Sequence, residues 1–377
     1  MSAFGSAATA GVAADRRFME LALSLGRRGL GRTWPNPAVG TVIVKDAEIV
    51  GRGWTQPGGR PHAEVEALRR AGAMARGATL YVTLEPCSHH GKSPPCADAV
   101  IASGIARVVS AMEDPNPEVA GRGHARLRSA GIGVDVGIEA TTARGDHAGH
   151  IRRMRDGRPH VTLKLAISAD GKAAGAGRRR VAITGNAVRD RVHLMRARSD
   201  AIMIGVGTAL ADDPVLTCRL PGMAKMSPIR VVLDDGLQLP IQSRLVATAG
   251  ETPLWIIGGE GAPAASETAA RQCGVEVLRV AEKQGRLDLR EVLRLLAKRG
   301  ITRLMIEGGP TVASALIEAD LVDEAIFFHS PLVIGEEGLP ALEPRPAQSL
   351  KQHLERVSSE PVGPDRQETY ERGSDHV

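Results

Sequence analysis

Aromatic residues are scarce in this chain: Phe, Trp and Tyr together make up 2% of 377 residues. A core cannot be built on rings here and has to be packed from Val, Leu, Ile and Ala. Cysteine is scarce as well. Cys87, Cys96, Cys218 and Cys273 do not make a disulfide framework, which fits a reducing compartment. The N-terminal MSAFGSAATAGVAAD has neither a basic start nor a long apolar core, so it does not read as a secretory signal. No apolar run is long enough to span a bilayer. A cytoplasmic protein with no membrane partner is expected. The second half also lacks Gly-x-Gly-x-x-Gly, which removes support for a Rossmann dinucleotide site.

What is present is ordinary for globular domains: 43% hydrophobic and 24% charged residues. The length suits two domains. A net charge of +5 and a pI near 9.2 favour anionic ligands. The charge is scattered rather than set in a stripe with aromatics, so small phosphorylated molecules are expected and nucleic acid is not.

The chemistry concentrates in RPHAEVEALRRAGAMARGATLYVTLEPCSHHGKSPPC, residues 60–96. His62, Cys87 and Cys96 supply one imidazole and two thiolates. Three protein ligands with an open fourth position describe a catalytic zinc site. Glu64, two residues after the His, is the proton carrier of the His-x-Glu…Pro-Cys…Cys deaminase pattern. Local signals place His62, Cys87 and Cys96 near helix starts, where the dipole favours thiolate. A structural zinc site is the competing reading, with His89 or His90 as fourth ligand, but it has no use for Glu64.

Along the chain, residues 1–14 read as disordered and 15–145 as a zinc domain of alternating strands and helices. Within it, Gly51 to Gly59 reads as a loop. Asn36 reads as a turn residue, and Asp114-Pro115-Asn116-Pro117 marks a turn at a strand end. Residues 146–158 are polar and basic and read as a linker. A second α/β domain spans 159–345, with VDEAIFFHS as its final strand. Residues 346–377 read as a polar tail. In the second domain, Gly205-Val206-Gly207-Thr208 and Glu307-Gly308-Gly309-Pro310 are glycine-rich strand ends that let backbone N–H groups approach an anion. Lys164 stands in an apolar strand and needs a carboxylate partner. Asp212 and Glu307 are the groups expected to meet it; a purely structural ion pair is the alternative. Arg196 and Arg219 are candidate phosphate clamps.

The runs PNPAVG, HAEVEAL, TLEPCSHHGKSPPC and AMEDPNPEVAGRG resemble the first half of the bifunctional riboflavin-biosynthesis deaminase/reductases. HVTLKLAISADGK, HLMRARSDAI, GVGTALADDPVLTCR and IEGGPTVASAL resemble the second half. The resemblance implies a cytidine-deaminase-like three-layer domain followed by a dihydrofolate-reductase-like domain. It implies zinc-dependent deamination of 2,5-diamino-6-(5-phosphoribosylamino)pyrimidin-4(3H)-one. NADPH-dependent reduction of the ribosyl chain then follows, giving 5-amino-6-(5-phosphoribitylamino)uracil. By resemblance Asn36, His89 and Lys92 hold the first substrate. Arg180, Arg196, Leu216, Arg219 and Glu307 contact the second. Lys164 and Asp212 act at the ribose. Ala166, Ala182, Thr208, Asp212, Gly309, Pro310, Thr311, Val312, Ala313, Ser314 and Ala315 contact NADPH. A homo-oligomer is expected. The family usually has Ser-x-Trp where this chain has Arg180-Val181-Ala182, and the indole that would lie near the cofactor is missing. Two other readings compete: a base deaminase acting on nucleic acid, and a non-enzymatic zinc scaffold.

Overall fold

The computed structural model describes residues 3–89, 91, 93–117 and 119–373, with side chains from residue 11 onward. It divides into two compact units, Met1–Asp156 and Gly157–Val377.

The first unit runs α1 (Ala3–Gly26), β1 (Gly40–Lys45), β2 (Glu48–Trp54), α2 (Ala63–Ala71), β3 (Thr79–Val82), α3 (Cys96–Ser103), β4 (Arg107–Ser110), α4 (Arg122–Ser129), β5 (Gly133–Val136), α5 (Ala140–Asp146) and α6 (Ala148–Asp156). The sheet order is β2-β1-β3-β4-β5, with β1 antiparallel to both neighbours and β3, β4 and β5 parallel. Glycine sets the layering. A Cβ on Gly40 would stand 1.8 Å from Ala22 O of α1, and one on Gly53 would stand 2.3 Å from Ala63 O of α2. Gly53 pairs with Thr41, the neighbour of Gly40. Because side chains alternate along a strand, the two helices cover opposite faces of the sheet. Val42, Ile43, Leu80, Val108 and Val109 fill the core between the layers.

Three readings of this unit are corrected. Gly51 and Gly53 lie in β2 and not in a loop: the strand needs glycine because α2 rides directly on its backbone. Residues 1–14, expected to be disordered, are helical from Ala3, continuous with the helix that carries buried Asp15, which pairs with Arg107 at 2.8 Å and accepts from Tyr81 Oη at 2.7 Å. The expected linker, residues 146–158, is mostly α6, and all but Gly157 and Arg158 belong to this unit. Ile151 is buried in its core, and its charges pair locally, as in Arg152–Asp156 at 2.6 Å.

The second unit begins with β6 (His160–Ile167), β7 (Lys172–Ala174), α7 (Asn186–Ala197), β8 (Ala201–Gly205), α8 (Val206–Asp212), β9 (Ile229–Leu233), α9 (Arg244–Ala247), β10 (Leu254–Gly259), α10 (Ala264–Gln272) and β11 (Glu276–Val280). It continues with β12 (Glu282–Lys283), β13 (Arg286–Leu287), α11 (Leu289–Lys298), β14 (Arg303–Ile306), α12 (Pro310–Glu318), β15 (Glu324–His329), β16 (Leu339–Pro340), α13 (Pro344–His353), β17 (Leu354–Val362) and β18 (Asp365–Arg372). Nine strands form one sheet in the order β11-β10-β9-β8-β14-β6-β15-β18-β17. The seven from β11 to β15 are parallel; β18 and β17 are antiparallel. The carboxyl ends of β6, β8 and β14 therefore open on one edge, where ligands gather in parallel sheets.

VDEAIFFHS is not the final strand, and the expected polar tail is α13 followed by the β17–β18 hairpin. The apolar alternation that would have announced β18 is absent because its inward positions are Asp365, Gln367 and Thr369. Each finds a polar partner: Asp365 Oδ2 accepts from Gly185 N at 2.8 Å, Gln367 Oε1 from Arg191 at 2.9 Å, and Thr369 Oγ1 from Gln367 Nε2 at 3.2 Å.

Candidate active sites

In the first unit, His62 caps α2, which puts Glu64 in the first helical turn. Cys96 opens α3. Cys87 is not at a helix start. It lies on the β3–α3 connection, and the Cys96 backbone N–H donates to its Sγ at 3.2 Å, so it still meets the positive end of α3. His62 Nδ1 lies 3.2 Å from Cys96 Sγ and 3.8 Å from Cys87 Sγ, and the three ligand atoms all fall within 4.8 Å of one another. Zinc bonds of about 2.3 Å to sulfur and about 2.0 Å to nitrogen set tetrahedral edges of about 3.5–3.8 Å. The trio fits such an ion.

The two cysteines are electrostatically unequal. Cys87 is lowered to about 4, chiefly because the Cys96 thiol donates to it, with His62 and the Cys96 N–H adding to this. The Cys96 thiol is pushed well up by the same contact and by burial. Glu64 is 3% exposed, and its Oε2 has no hydrogen-bond partner among the described residues. Burial pushes its carboxyl up to about 7, against the pull of His62 and with the push of Cys87. A buried carboxyl with one free oxygen, poised near neutrality beside a metal cradle, suits proton transfer.

Asn36 Nδ2 donates to Gly59 O at 2.8 Å, three residues before His62. His89 is exposed on the loop after Cys87. His90 and Lys92 lie outside the described residues. Asp114 accepts from Asn116 N at 2.9 Å and faces His150 Nε2 at 3.4 Å; burial pushes its carboxyl up, but His150 and then His89 bring it below the usual carboxylate range. The motif gives no warning of Glu85. This buried carboxylate accepts from Asp114 N, Gly121 N, Gly123 N and His124 N at 3.0, 2.9, 2.7 and 3.2 Å. Its place immediately before Pro86-Cys87 was the one available signal. It ties the ligand loop to the start of α4.

In the second unit, β14 pairs with β6 so that Ile306 lies opposite Leu163, and Glu307 emerges beside Lys164. The Glu307 side chain is 11% exposed and is held by two guanidinium contacts from Arg196 in the last turn of α7, Nε to Oε1 at 3.0 Å and Nη2 to Oε2. Arg196 Nη1 also donates to Thr217 O at 3.0 Å. Arg196 is thus held by Glu307 and Thr217 while still lining the first two cleft cavities. Burial pushes Glu307 up, but Arg196 and Lys164 hold it below its ordinary value. Burial lowers Lys164, with Glu307 opposing. Burial raises Asp212, with Arg180 opposing.

Three adjoining cavities of ≈350, ≈260 and ≈220 Å³ open here, and Glu307 lines all of them. The first is walled by Arg180, Asp212, Leu216, Arg219 and Arg244. The second holds Lys164, Ala166, Ala182 and His193. The third holds Lys164, Ala166, Thr208, Asp212, Gly309 and Pro310. So Lys164, Asp212 and Glu307 do converge. Leu216 lines the first cavity, yet it is 3% exposed at φ 58° and packs in the core. Gly308 and Gly309 have φ of 117° and 73°, and a Cβ on Gly309 would stand 2.8 Å from Thr208 Oγ1. Only glycine serves there. Beyond Pro310 the expected cofactor segment runs into α12: Ala313 is fully buried, Val312 packs toward Gly205, and Thr311, Ser314 and Ala315 follow along the helix. Sequence reasoning passed over His193, a cleft residue whose Nδ1 accepts from Arg219 N at 3.3 Å.

Residues 12–112 match the family model for the cytidine and deoxycytidylate deaminase zinc-binding region, and residues 159–367 match the RibD C-terminal domain. The chain is 45% identical to riboflavin biosynthesis protein RibD of Escherichia coli (strain K12), over 87% of this chain and 92% of that protein. Among solved structures it resembles Acinetobacter baumannii RibD, with a TM-score of 0.84 and 36% identity over 96% of this chain and 100% of the other. It also resembles a diaminohydroxyphosphoribosylaminopyrimidine deaminase/5-amino-6-(5-phosphoribosylamino)uracil reductase from Thermotoga maritima, with a TM-score of 0.82 and 33% identity over 96% and 100%. The first unit is accordingly a zinc-binding deaminase domain and the second a RibD reductase domain: the chain belongs to the RibD family of riboflavin-biosynthesis proteins.

Proposed function

We propose that this chain carries out two consecutive steps on one small phosphorylated pyrimidine. In the first, the ring C–NH2 bond of 2,5-diamino-6-(5-phosphoribosylamino)pyrimidin-4(3H)-one is exchanged for C=O and ammonia leaves. His62, Cys87 and Cys96 hold zinc, which when bound supplies acidified water near neutral pH. Glu64 takes the first water proton to the ring nitrogen, and then carries the second, from the hydroxyl now on the ring carbon, to the departing amine as the C=O forms. Asn36, His89 and Lys92 orient the pyrimidine. The buried Glu64 carboxyl, with its Oε2 left unpartnered beside the three ligand atoms, is the observation that carries this reading.

In the second step the ribosyl group becomes ribityl: the bond from the anomeric carbon to the ring oxygen breaks, the carbon gains a hydride and the oxygen a proton. NADPH, when bound, supplies the hydride. Lys164, its ammonium weakened by burial, delivers the proton, and Glu307 fixes it in place. Asp212 orients the ribose hydroxyls from the wall it shares with Glu307, and Arg219 and Arg180 take the substrate phosphate. Among the described residues no helix is long and apolar enough to cross a membrane.

Metal removal tests the first step. Dialysis against a strong chelator is expected to abolish ammonia release, and stoichiometric zinc to restore it, with dinucleotide binding by the second unit unaffected. Full ammonia release from chain shown to be free of zinc contradicts the assignment of His62, Cys87 and Cys96.

A further inference from the structure

The segment from Ala176 to Ala182 borders the reductase cleft and carries three consecutive exposed arginines. Their surroundings differ. Arg180 lines the ≈350 and ≈260 Å³ cavities, Arg178 lines the ≈220 Å³ cavity, and Arg179 lines none of the three. The Arg178 guanidinium lies against the start of α8, where a Cβ on Gly207 would stand 3.2 Å from its Nη1. Its own backbone is left-handed, at φ 64°, an arrangement a side chain this large adopts at some strain.

The charge balance of the ≈220 Å³ cavity singles out this arginine. Its other cation, Lys164, faces Glu307 on the neighbouring strand. Arg178 has no carboxylate or carbonyl partner among the described residues. Gly308 and Gly309 also line this cavity, and their missing Cβ atoms let a ligand come close to the backbone. An unpaired guanidinium over a glycine-walled cavity is built for a phosphate, which it can grip with two parallel N–H donors. Two phosphorylated ligands must meet at Lys164 and Glu307. The first cavity already offers Arg180, Arg219 and Arg244 to one of them. Arg178, in the third cavity, is left for the other. Ala182, in the middle cavity, presents only a methyl group, so the dinucleotide has no ring to stack on at that position and charge has to serve instead.

We propose that Arg178 is a phosphate-binding residue for the nicotinamide dinucleotide, an assignment that rests on the reductase reading above. The experiment is a direct titration of the full zinc-loaded chain with NADPH and with NADH, followed by nicotinamide fluorescence. Arg178→Ala is expected to weaken NADPH binding by roughly tenfold to a hundredfold, the loss of one charge-assisted contact. Arg179→Ala is expected to bind as wild type, and both variants should release ammonia normally. An equal loss for NADH places Arg178 on the diphosphate; a loss confined to NADPH places it on the ribose 2′-phosphate; either supports the assignment. Arg178→Ala that titrates as wild type with both dinucleotides overturns it. Wild-type chain that binds neither dinucleotide is a different result, and removes the reductase reading along with this assignment.

Discussion

Glu64→Gln is expected to slow ammonia release by on the order of 10²–10⁴-fold, the range general acid–base groups supply. The substitution keeps shape and hydrogen-bonding capacity and removes only the ability to move a proton. Glu64 Oε2 has no partner among the described residues, and the carboxyl's side-chain contact with the Cys96 thiol can be kept by the amide oxygen of Gln. The zinc cradle consists of His62, Cys87 and Cys96 and does not include it. Zinc content and thermal midpoint should therefore stay at wild-type values while turnover collapses. Metal analysis, a melting curve and an ammonia assay on one preparation check all three. Retained turnover would remove Glu64 from the mechanism. Lost zinc would make it part of the cradle instead.

Glu307→Ala is expected to have the largest effect in the second unit, on both stability and reduction. It strips the counter-charge from Arg196 and Lys164 at once. Breaking one partner of a buried ion pair costs about 3–5 kcal/mol, because the other charge stays behind without compensation. Both side chains of the Arg196–Glu307 pair are 11% exposed, so solvent screens them little. The denaturant midpoint of the second unit should fall accordingly, and NADPH oxidation should be lost. Adding Arg196→Met should recover part of the stability and none of the reduction, a coupling that a double-mutant cycle measures. The pH dependence has a definite sign. The Glu307 carboxyl is held below its ordinary value, so the pair's contribution is complete above about pH 4.3 and is lost as pH falls through the lower folded value. Wild-type stability in Glu307→Ala would show that Arg196 and Lys164 find other partners.

The sequence made the metal centre legible because its ligands sit in one 35-residue stretch whose helix signals are local. His62, Glu64 and Cys96 fall at helix starts, as the flanking prolines and apolar spacing indicate. The reductase cleft is assembled across strands distant in sequence, and periodicity says nothing about which strands are neighbours. That Lys164 lies beside Glu307 follows from the pairing of β6 with β14 across some 140 residues of chain. The resemblance supplied what spacing could not. It did not show that Arg196 is held by Glu307, nor that Leu216 packs in the core. Where the reading failed, residues are packed without apolar side chains, for two different reasons. Gly51 and Gly53 look like loop because glycine there serves close packing rather than turning. The β17–β18 hairpin looks like tail because Asp365, Gln367 and Thr369 are buried through hydrogen bonds rather than by apolarity.

A single assay tests the two-step reading most directly. The diaminopyrimidinone ribosyl phosphate and NADPH are supplied to the zinc-loaded chain, and ammonia release and NADPH oxidation are followed together. The expected result is ammonia first and NADPH oxidation after it, in equal final amounts. NADPH oxidation that runs at full rate while ammonia release is blocked by Glu64→Gln would contradict the order of the steps, and the absence of both signals from wild-type chain with zinc bound would contradict the substrate.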